Sequence, residues 1–280
     1  MLIHIPRTYI DTQVTAALEE DVGDGDITAM LIPENKLIMA EVICRESAVL
    51  CGKDWFNLVF EKLSANIELR WQKNDGDEIQ QNEVICDLSG PARAILTGER
   101  SALNFLQTLS GTATTTRQFA RAIADTNCQV LDTRKTIPGY RLAQKYAVHC
   151  GGGSNHRLGL YDMVLIKENH ITAAGSIANA VQAARQLAPG FDIEVEVETL
   201  EELQQALDCG VTRILLDNMN PAQLLQAVEL NAGKAKLEAS GNVNLDTVHS
   251  IAETGVDYVS VGSMTKHIRA IDFSMRFSEF

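Results

Sequence analysis

Two hydrophobic rhythms divide this chain of 280 residues. The first runs to about residue 110 and mixes helix with strand. IDTQVTAALEED carries apolar residues at helical spacing and ends in DVGDGD, a Gly/Asp turn. LIMAEVICRESAVLCG and EVICDLSGPARAIL are β-rich, the second introduced by the turn KNDGDE, and KDWFNLVFEKL between them returns to helical spacing. TGERSALNFLQTLSGTATTTRQFARAIAD predicts one long helix, or two broken near Ser110–Gly111, as the connector between domains. The division expected is an N-terminal α/β domain over 1–112, built as an α+β sandwich, and a catalytic domain over 113–280, with the tail at about 270–280 a candidate to pack back on the first domain.

From about residue 128 short β-branched runs alternate with helical stretches such as TLEELQQALDCG and NLDTVHSIAETG. The runs are CQVLDTRK, DMVLIKEN, FDIEVEVE, TRILLDN, AKLEASG and VDYVSVGS. Asp132, Lys167, Glu196, Asp217, Ser240 and Gly262 mark their C-terminal ends, at intervals of 35, 29, 21, 23 and 22 residues. Repeated βα units of this kind predict a parallel sheet buried on both faces. Six such runs are clear, so the fold class expected is α/β with an incomplete (β/α) barrel. An open doubly wound sheet is the rival. The barrel is favoured because every run ends in a reactive side chain, and strand C-termini converge on the active face of a barrel. No GxGxxG or GxxxxGK[ST] motif supports a dinucleotide or P-loop site.

Charge sharpens the location. The chain has 24 basic and 37 acidic residues, a net charge of −13. Residues 131–170 run the other way, with Arg134, Lys135, Arg141, Lys145, Arg157 and Lys167 against Asp132, Asp162 and Glu168. A cationic window on an acidic protein suits a small anionic substrate and disfavours nucleic acid. No apolar run approaches the roughly 20 residues of a membrane span, and the N-terminal stretch MLIHIPRTYIDTQ lacks the layout of a secretory signal. Six scattered cysteines without CxxC spacing read as buried reduced thiols in a cytoplasmic protein.

Within that window Thr133, Arg134 and Lys135 follow one strand and Lys167 ends the next. The cations suit carboxylate or phosphate, and arginine offers a planar fork for the former. A Schiff-base lysine is the alternative chemistry. Arg141 and Lys145 fall on a predicted helix and retain the reading of a solvated face. Gly151–Gly153 precede Asn155–His156–Arg157 and would allow close backbone approach to a ligand or unusual dihedrals. Glu194, Glu196 and Glu198 alternate along one strand and point to one side, which is costly inside a barrel without cations or metal. Glu196, expected near the lysines, and Asp217 on the next strand could hold Mg²⁺ through oxygen or bind sugar hydroxyls. A structural ion-pair network is the other possibility. Ser240–Gly241–Asn242 and Gly262–Ser263 end the last two strands in small residues, the usual form of a barrel phosphate site.

The blocks LEEDVGDGDIT, TGERSALNFLQTLSG, LDTRKTIPGYR, KYAVHCGGGSNHRLGLYDMVLIKENHI, EVEVETLEE, LLDNM, LEASGN and GVDYVSVGSMTK resemble those of quinolinate phosphoribosyltransferases, nearly end to end. The resemblance implies the reaction of quinolinate with phosphoribosyl pyrophosphate and Mg²⁺ to give nicotinate mononucleotide, pyrophosphate and CO₂ in NAD synthesis. By the same resemblance Arg134, Lys135, His156, Arg157 and Lys167 would surround the two quinolinate carboxylates and neighbouring phosphates. Glu196 and Asp217 would lie near the ribose hydroxyls and metal-bound pyrophosphate. Lys135, Lys167, Glu196 and Asp217 are thus the expected catalytic set. Arg100 is similar to an arginine that family members insert into a neighbouring subunit's site, which implies a homodimer, with a hexamer left open. Asn242 stands where a glycine is common, and asparagine tolerates positive φ.

Three rivals remain at this point. The molybdenum-transport-associated paralogue shares several motifs, but the full RKT, NHR and KENH set argues against it. A Schiff-base lyase or aldolase would require Lys167 to trap a carbonyl. A non-catalytic ligand-binding barrel would not need both Glu196 and Asp217.

Overall fold

The computed structural model describes residues 5–279; Met1–His4, which open the stretch read for a secretory signal, and Phe280, which closes the tail, lie outside the described residues. The chain forms two compact units. One gathers the chain up to Arg117 with Leu142–Gly152 and the segment from His267 onward; the other holds Gln118–Arg141 and Gly153–Lys266.

The first unit contains α1 (Arg7–Val22), β1 (Leu37–Cys44), β2 (Ala48–Val49), α2 (Lys53–Leu63), β3 (Glu68–Trp71), β4 (Glu78–Ile79), β5 (Glu83–Pro91) and most of α3 (Ala92–Ala122). Along β1, Leu37, Met39 and Glu41 are exposed while Ile38, Ala40 and Val42 are buried. That alternation marks an antiparallel strand with one face buried, in a unit whose core includes Trp55, Phe56 and Phe60 of α2. The β-rich run ending in ARAIL is shorter than the sequence suggests. The strand stops at Pro91 and helix starts at Ala92, because the chain turns into a run of good helix formers. The helix α3 is unbroken at Ser110–Gly111. Gly111 is there for packing, since a Cβ on it would lie 2.3 Å from the Arg269 carbonyl oxygen. Ser110 Oγ accepts from the Cys51 amide at 3.0 Å and donates to its carbonyl at 3.2 Å.

The second unit is built from β6 (Gln129–Leu131), β7 (Val164–Ile166), α5 (Glu168–Ala174), α6 (Ile177–Leu187), β8 (Ile193–Val197), α7 (Leu200–Asp208), β9 (Arg213–Asp217), α8 (Pro221–Asn231), β10 (Lys236–Ser240), α9 (Val248–Ala252), β11 (Tyr258–Ser260) and α10 (Ser263–Lys266). Between β6 and β7 the chain makes α4 (Arg141–Cys150), which joins the first unit from Leu142 on. Lys145 on that helix is fully buried, so it is no part of a solvated face. The closing strand β12 (Phe273–Glu279) pairs antiparallel with β1, giving a sheet of order β12-β1-β5-β3.

The six strands of the second unit form a parallel sheet of order β6-β11-β10-β9-β8-β7. The strands β6 and β7, successive in this unit, end up at opposite edges, so this is an incomplete α/β barrel. Side chains alternate: Val195, Ile214, Leu216 and Ala239 are buried, and Glu194, Glu196, Arg213, Leu215, Glu238 and Ser240 take the other face. Capping boxes at Thr199–Glu202 and Asn220–Gln223 start α7 and α8 directly after their strands, which fixes the strand ends as short, defined loops. No described helix is long and apolar enough to cross a membrane.

Candidate active site

Parallel strands put all their C-termini at one end, and a cavity of about 170 Å³ opens there. Thr133, Arg134, Lys135, His156, Arg157, Lys167, Glu196 and Ser240 line it, as do Leu165, Leu215, Glu238 and Ser260. Four of these side chains are cations. Burial, followed by the charge of nearby Arg134, pulls the Arg157 guanidinium below its ordinary value. Arg134 Nε is buried with no hydrogen-bond partner among the described residues. Two guanidiniums that repel each other, one with a buried donor unused, form a receptor prepared for an anion.

The loops that carry these cations are tied down by hydrogen bonds to neighbouring groups. Arg141 spans the first loop, donating to Thr136 Oγ1 at 3.2 Å and to the Leu158 carbonyl at 3.2 Å. Thr265 Oγ1 donates to the Lys135 carbonyl at 2.8 Å. Asp132, at the end of β6, accepts from the His156 amide at 2.9 Å and from Asn155 Nδ2 at 2.5 Å. The carbonyls of Cys150 and Gly151 accept from Arg117 at 3.2 and 2.9 Å. The glycine run thus serves the scaffold at its start, where a Cβ on Gly151 would lie 2.5 Å from the Ala113 carbonyl oxygen.

Lys167 Nζ is ion-paired with Glu196, an arrangement for a cation and a poor one for a neutral amine nucleophile. Glu198 does not share that side: it lies past the end of β8, exposed, and its amide donates to Glu202 at 2.8 Å. Asp217 is paired in register with Ser240, and its Oδ2 accepts from Asn218 Nδ2 at 2.7 Å. The Ser240 loop is held close to that turn, with the Asn218 amide donating to the Ser240 carbonyl at 2.8 Å. A Cβ at Gly241 would lie 2.2 Å from Asn218 Oδ1, so only glycine fits. Asn242 takes φ +49°, the conformation that asparagine accepts in place of glycine. Gly262 packs on the Lys135 side chain, 3.1 Å from a would-be Cβ to Cδ, and Ser263 opens α10. Arg100 is an exposed residue of α3 in the first unit and does not line the cavity.

The sequence marks Glu194 as costly inside the barrel without a cation, but not its partners Arg213 and Glu238, which form the floor with it. Arg213 donates from Nε to Glu194 at 2.9 Å and from Nη2 to Glu238 at 2.7 Å, and both carboxylates are fully buried. The guanidinium lies over the Tyr258 ring, 4.8 Å from its centroid. His156 Nε2 is 2.9 Å from Glu194 and 3.5 Å from Glu238. Its Nδ1 accepts the Arg157 amide at 2.8 Å, which assigns the ring proton to Nε2. Both ring nitrogens thus face protein groups, while the imidazole still lines the cavity. Burial alone would raise Glu194, but His156 and Arg213 outweigh it and hold it below its ordinary value. Glu238 goes the other way, pushed up to about 7 by burial and then by the charge of Glu194. His156, Glu194 and Glu238 approach the spacing of a metal site, yet Arg213 already supplies the cation between the two carboxylates.

Domain models of the quinolinate phosphoribosyl transferase family match residues 26–110 (N-terminal domain) and 112–276 (C-terminal domain). The chain belongs to this family. Relatives of this family member include the probable nicotinate-nucleotide pyrophosphorylase [carboxylating] of Bacillus subtilis, 42% identical over 91% of this chain and 89% of that protein. The chloroplastic nicotinate-nucleotide pyrophosphorylase [carboxylating] of Arabidopsis thaliana is 41% identical over 97% of this chain and 83% of that one. Among solved structures, the nicotinate-nucleotide pyrophosphorylase of Francisella tularensis superposes with a TM-score of 0.97 at 46% identity, covering 99% of each chain.

Proposed function

We infer that this chain transfers the phosphoribosyl group of phosphoribosyl pyrophosphate to quinolinate with loss of CO₂, giving nicotinate mononucleotide and pyrophosphate. The observation that carries the reading is the cavity at the strand ends, where Arg134 and Arg157 stand together beside Lys135 and Lys167. Membership of the family assigns the reaction that such a receptor serves.

The chemistry asks mostly for charge and orientation. The pyridine nitrogen attacks C1′ of the ribose as the bond to pyrophosphate breaks, and pyrophosphate takes that bond's electrons. The ring becomes a pyridinium. When the 2-carboxylate leaves as CO₂, its bonding pair stays at C2 beside the positive nitrogen, and C2 then takes a proton from solvent. No Schiff-base sink is needed. Arg134 and Arg157 hold the carboxylates, and Lys135 and Lys167 offset charge building on the departing phosphate. Small residues of the Ser240–Gly241–Asn242 and Gly262–Ser263 loops leave their amides open to the 5′-phosphate.

Glu196 and Asp217 offer hard oxygen donors at adjacent strand ends, a set that fits Mg²⁺ and not a softer metal. They would hold the ion, partly through substrate pyrophosphate, and it would supply charge to offset the leaving group. A homodimer is part of the proposal, with Arg100 given to the partner's site, which its exposure on α3 supports. A cytoplasmic location agrees with six free cysteines.

A coupled assay for nicotinate mononucleotide and CO₂, with nicotinate as control acceptor, tests the reading. Turnover of quinolinate alone is expected, and equal use of nicotinate would refute the demand for two carboxylates. Mixing inactive Arg100→Ala and Lys135→Ala proteins should restore part of the activity. No recovery would sink the shared site.

A further inference from the structure

Beneath the cations the cavity stands on a floor of opposite character, and the proposed chemistry leaves that floor without a task. Glu194 on β8 and Glu238 on β10 are both fully buried, and both are served by the single guanidinium of Arg213 on β9. Among the described residues the charged and titratable groups around Glu238 are Glu194, Arg213, the Tyr258 ring on β11 and His156 from the loop before β7. Arg134, Lys135, Arg157, Lys167 and Glu196 line the same cavity higher up. The two oxygens of Glu238 differ. Oε2 accepts from Arg213, whereas Oε1 is buried with no hydrogen-bond partner among the described residues. A charged carboxylate oxygen in that state is costly, while an acid O–H there has removed the charge and become a donor.

We propose that Glu238 takes up a proton from bulk water when a dianionic ligand enters the cavity, so that the loaded pocket rests on a neutral floor. The inference rests on the reading of the pocket as a quinolinate site. No bond of the substrate changes in this step; a proton adds to Oε1 and Arg213 keeps its bond to Oε2. His156 is a poor rival acceptor. Its Nε2 carries the ring proton toward Glu194, and its Nδ1 already accepts from the Arg157 amide. The free-state position of Glu238, near neutrality, makes the added charge of a bound dianion sufficient to shift it.

The test is isothermal calorimetry with quinolinate as ligand to the intact protein, in buffers of different ionisation heat, between pH 7 and 8.5. The wild type should take up a large fraction of one proton per site, and its affinity should fall by up to about tenfold per pH unit across the window. Glu238→Gln, which copies the neutral acid, should bind with no uptake and little pH dependence. Binding by the wild type without uptake, or the same uptake by Glu238→Gln, would overturn the proposal alone. No binding of quinolinate by the wild type would overturn the functional reading beneath it. If the variant does not fold, infrared difference spectra of the wild type decide. Quinolinate should add a carboxylic-acid carbonyl band that moves on ¹³C labelling of glutamate, and a band that does not move, or none, refutes the assignment.

Discussion

Replacing Arg213 with methionine keeps most of the stem but removes the fork that serves two buried carboxylates. The structure sets the scale. Two charge-assisted bonds, 2.9 Å to Glu194 and 2.7 Å to Glu238, are lost from partners that have no exposure to water. Stranding a buried charge in this way costs about 3–5 kcal/mol, and the lost contact with the Tyr258 ring adds to it. At about 2–4 °C per kcal/mol for a chain of this size, melting should fall on the order of 10 °C at pH 8. Calorimetry is the right assay, because both tryptophans, Trp55 and Trp71, lie in the first unit and their fluorescence would miss the barrel. The loss should shrink at pH 5.5, where the stranded carboxylates, raised by burial, become protonated. Arg185→Met provides the control: Arg185 is exposed and caps the Cys209 and Gly210 carbonyls, so its loss should cost little. A drop for Arg213→Met no larger than the control's, or one of equal size at both pH values, would refute the reasoning.

Other consequences follow from the same geometry. Glu238 titrates near 7 when folded against an ordinary 4.5, so the stability it contributes is complete below about 4.5 and is lost as pH rises toward 7. Denaturant titrations should therefore show Glu238→Gln gaining on the wild type by about 3 kcal/mol at most between pH 4.5 and 7; a constant difference would contradict this. Arg157→Ala should raise the KM for quinolinate roughly tenfold or more, the loss of a charged hydrogen bond, with less effect on phosphoribosyl pyrophosphate. Equal effects on both would remove its carboxylate role. Treatment with EDTA should stop turnover and added Mg²⁺ restore it, and undiminished activity would take the ion out of the mechanism.

Much of the site was legible because its signals are local. Strand-end residues such as Arg134, Lys167 and Glu196 follow runs of period-two or continuous apolar character, and parallel topology sends every such end to one face. The Ser240–Gly241–Asn242 turn carried its own signature in residue type, since only some side chains accept its backbone. What the sequence could not supply was register between strands. Arg213 and Glu238 stand in two separate runs, TRILLDN and AKLEASG, and no local pattern joins them. Their pairing exists because β9 lies between β8 and β10, which sets Arg213 opposite Glu194 on one side and two residues along from Glu238 on the other. Lys145 is a similar case: helical spacing places it on α4, but only the folding of that helix into the first unit buries it. The sequence by itself determined the βα rhythm, the incomplete barrel and the cations that gather at the strand ends, because these depend on neighbours a few residues apart. The tertiary structure alone decided the buried acid floor, because an interaction between three strands depends on distances that no local pattern encodes.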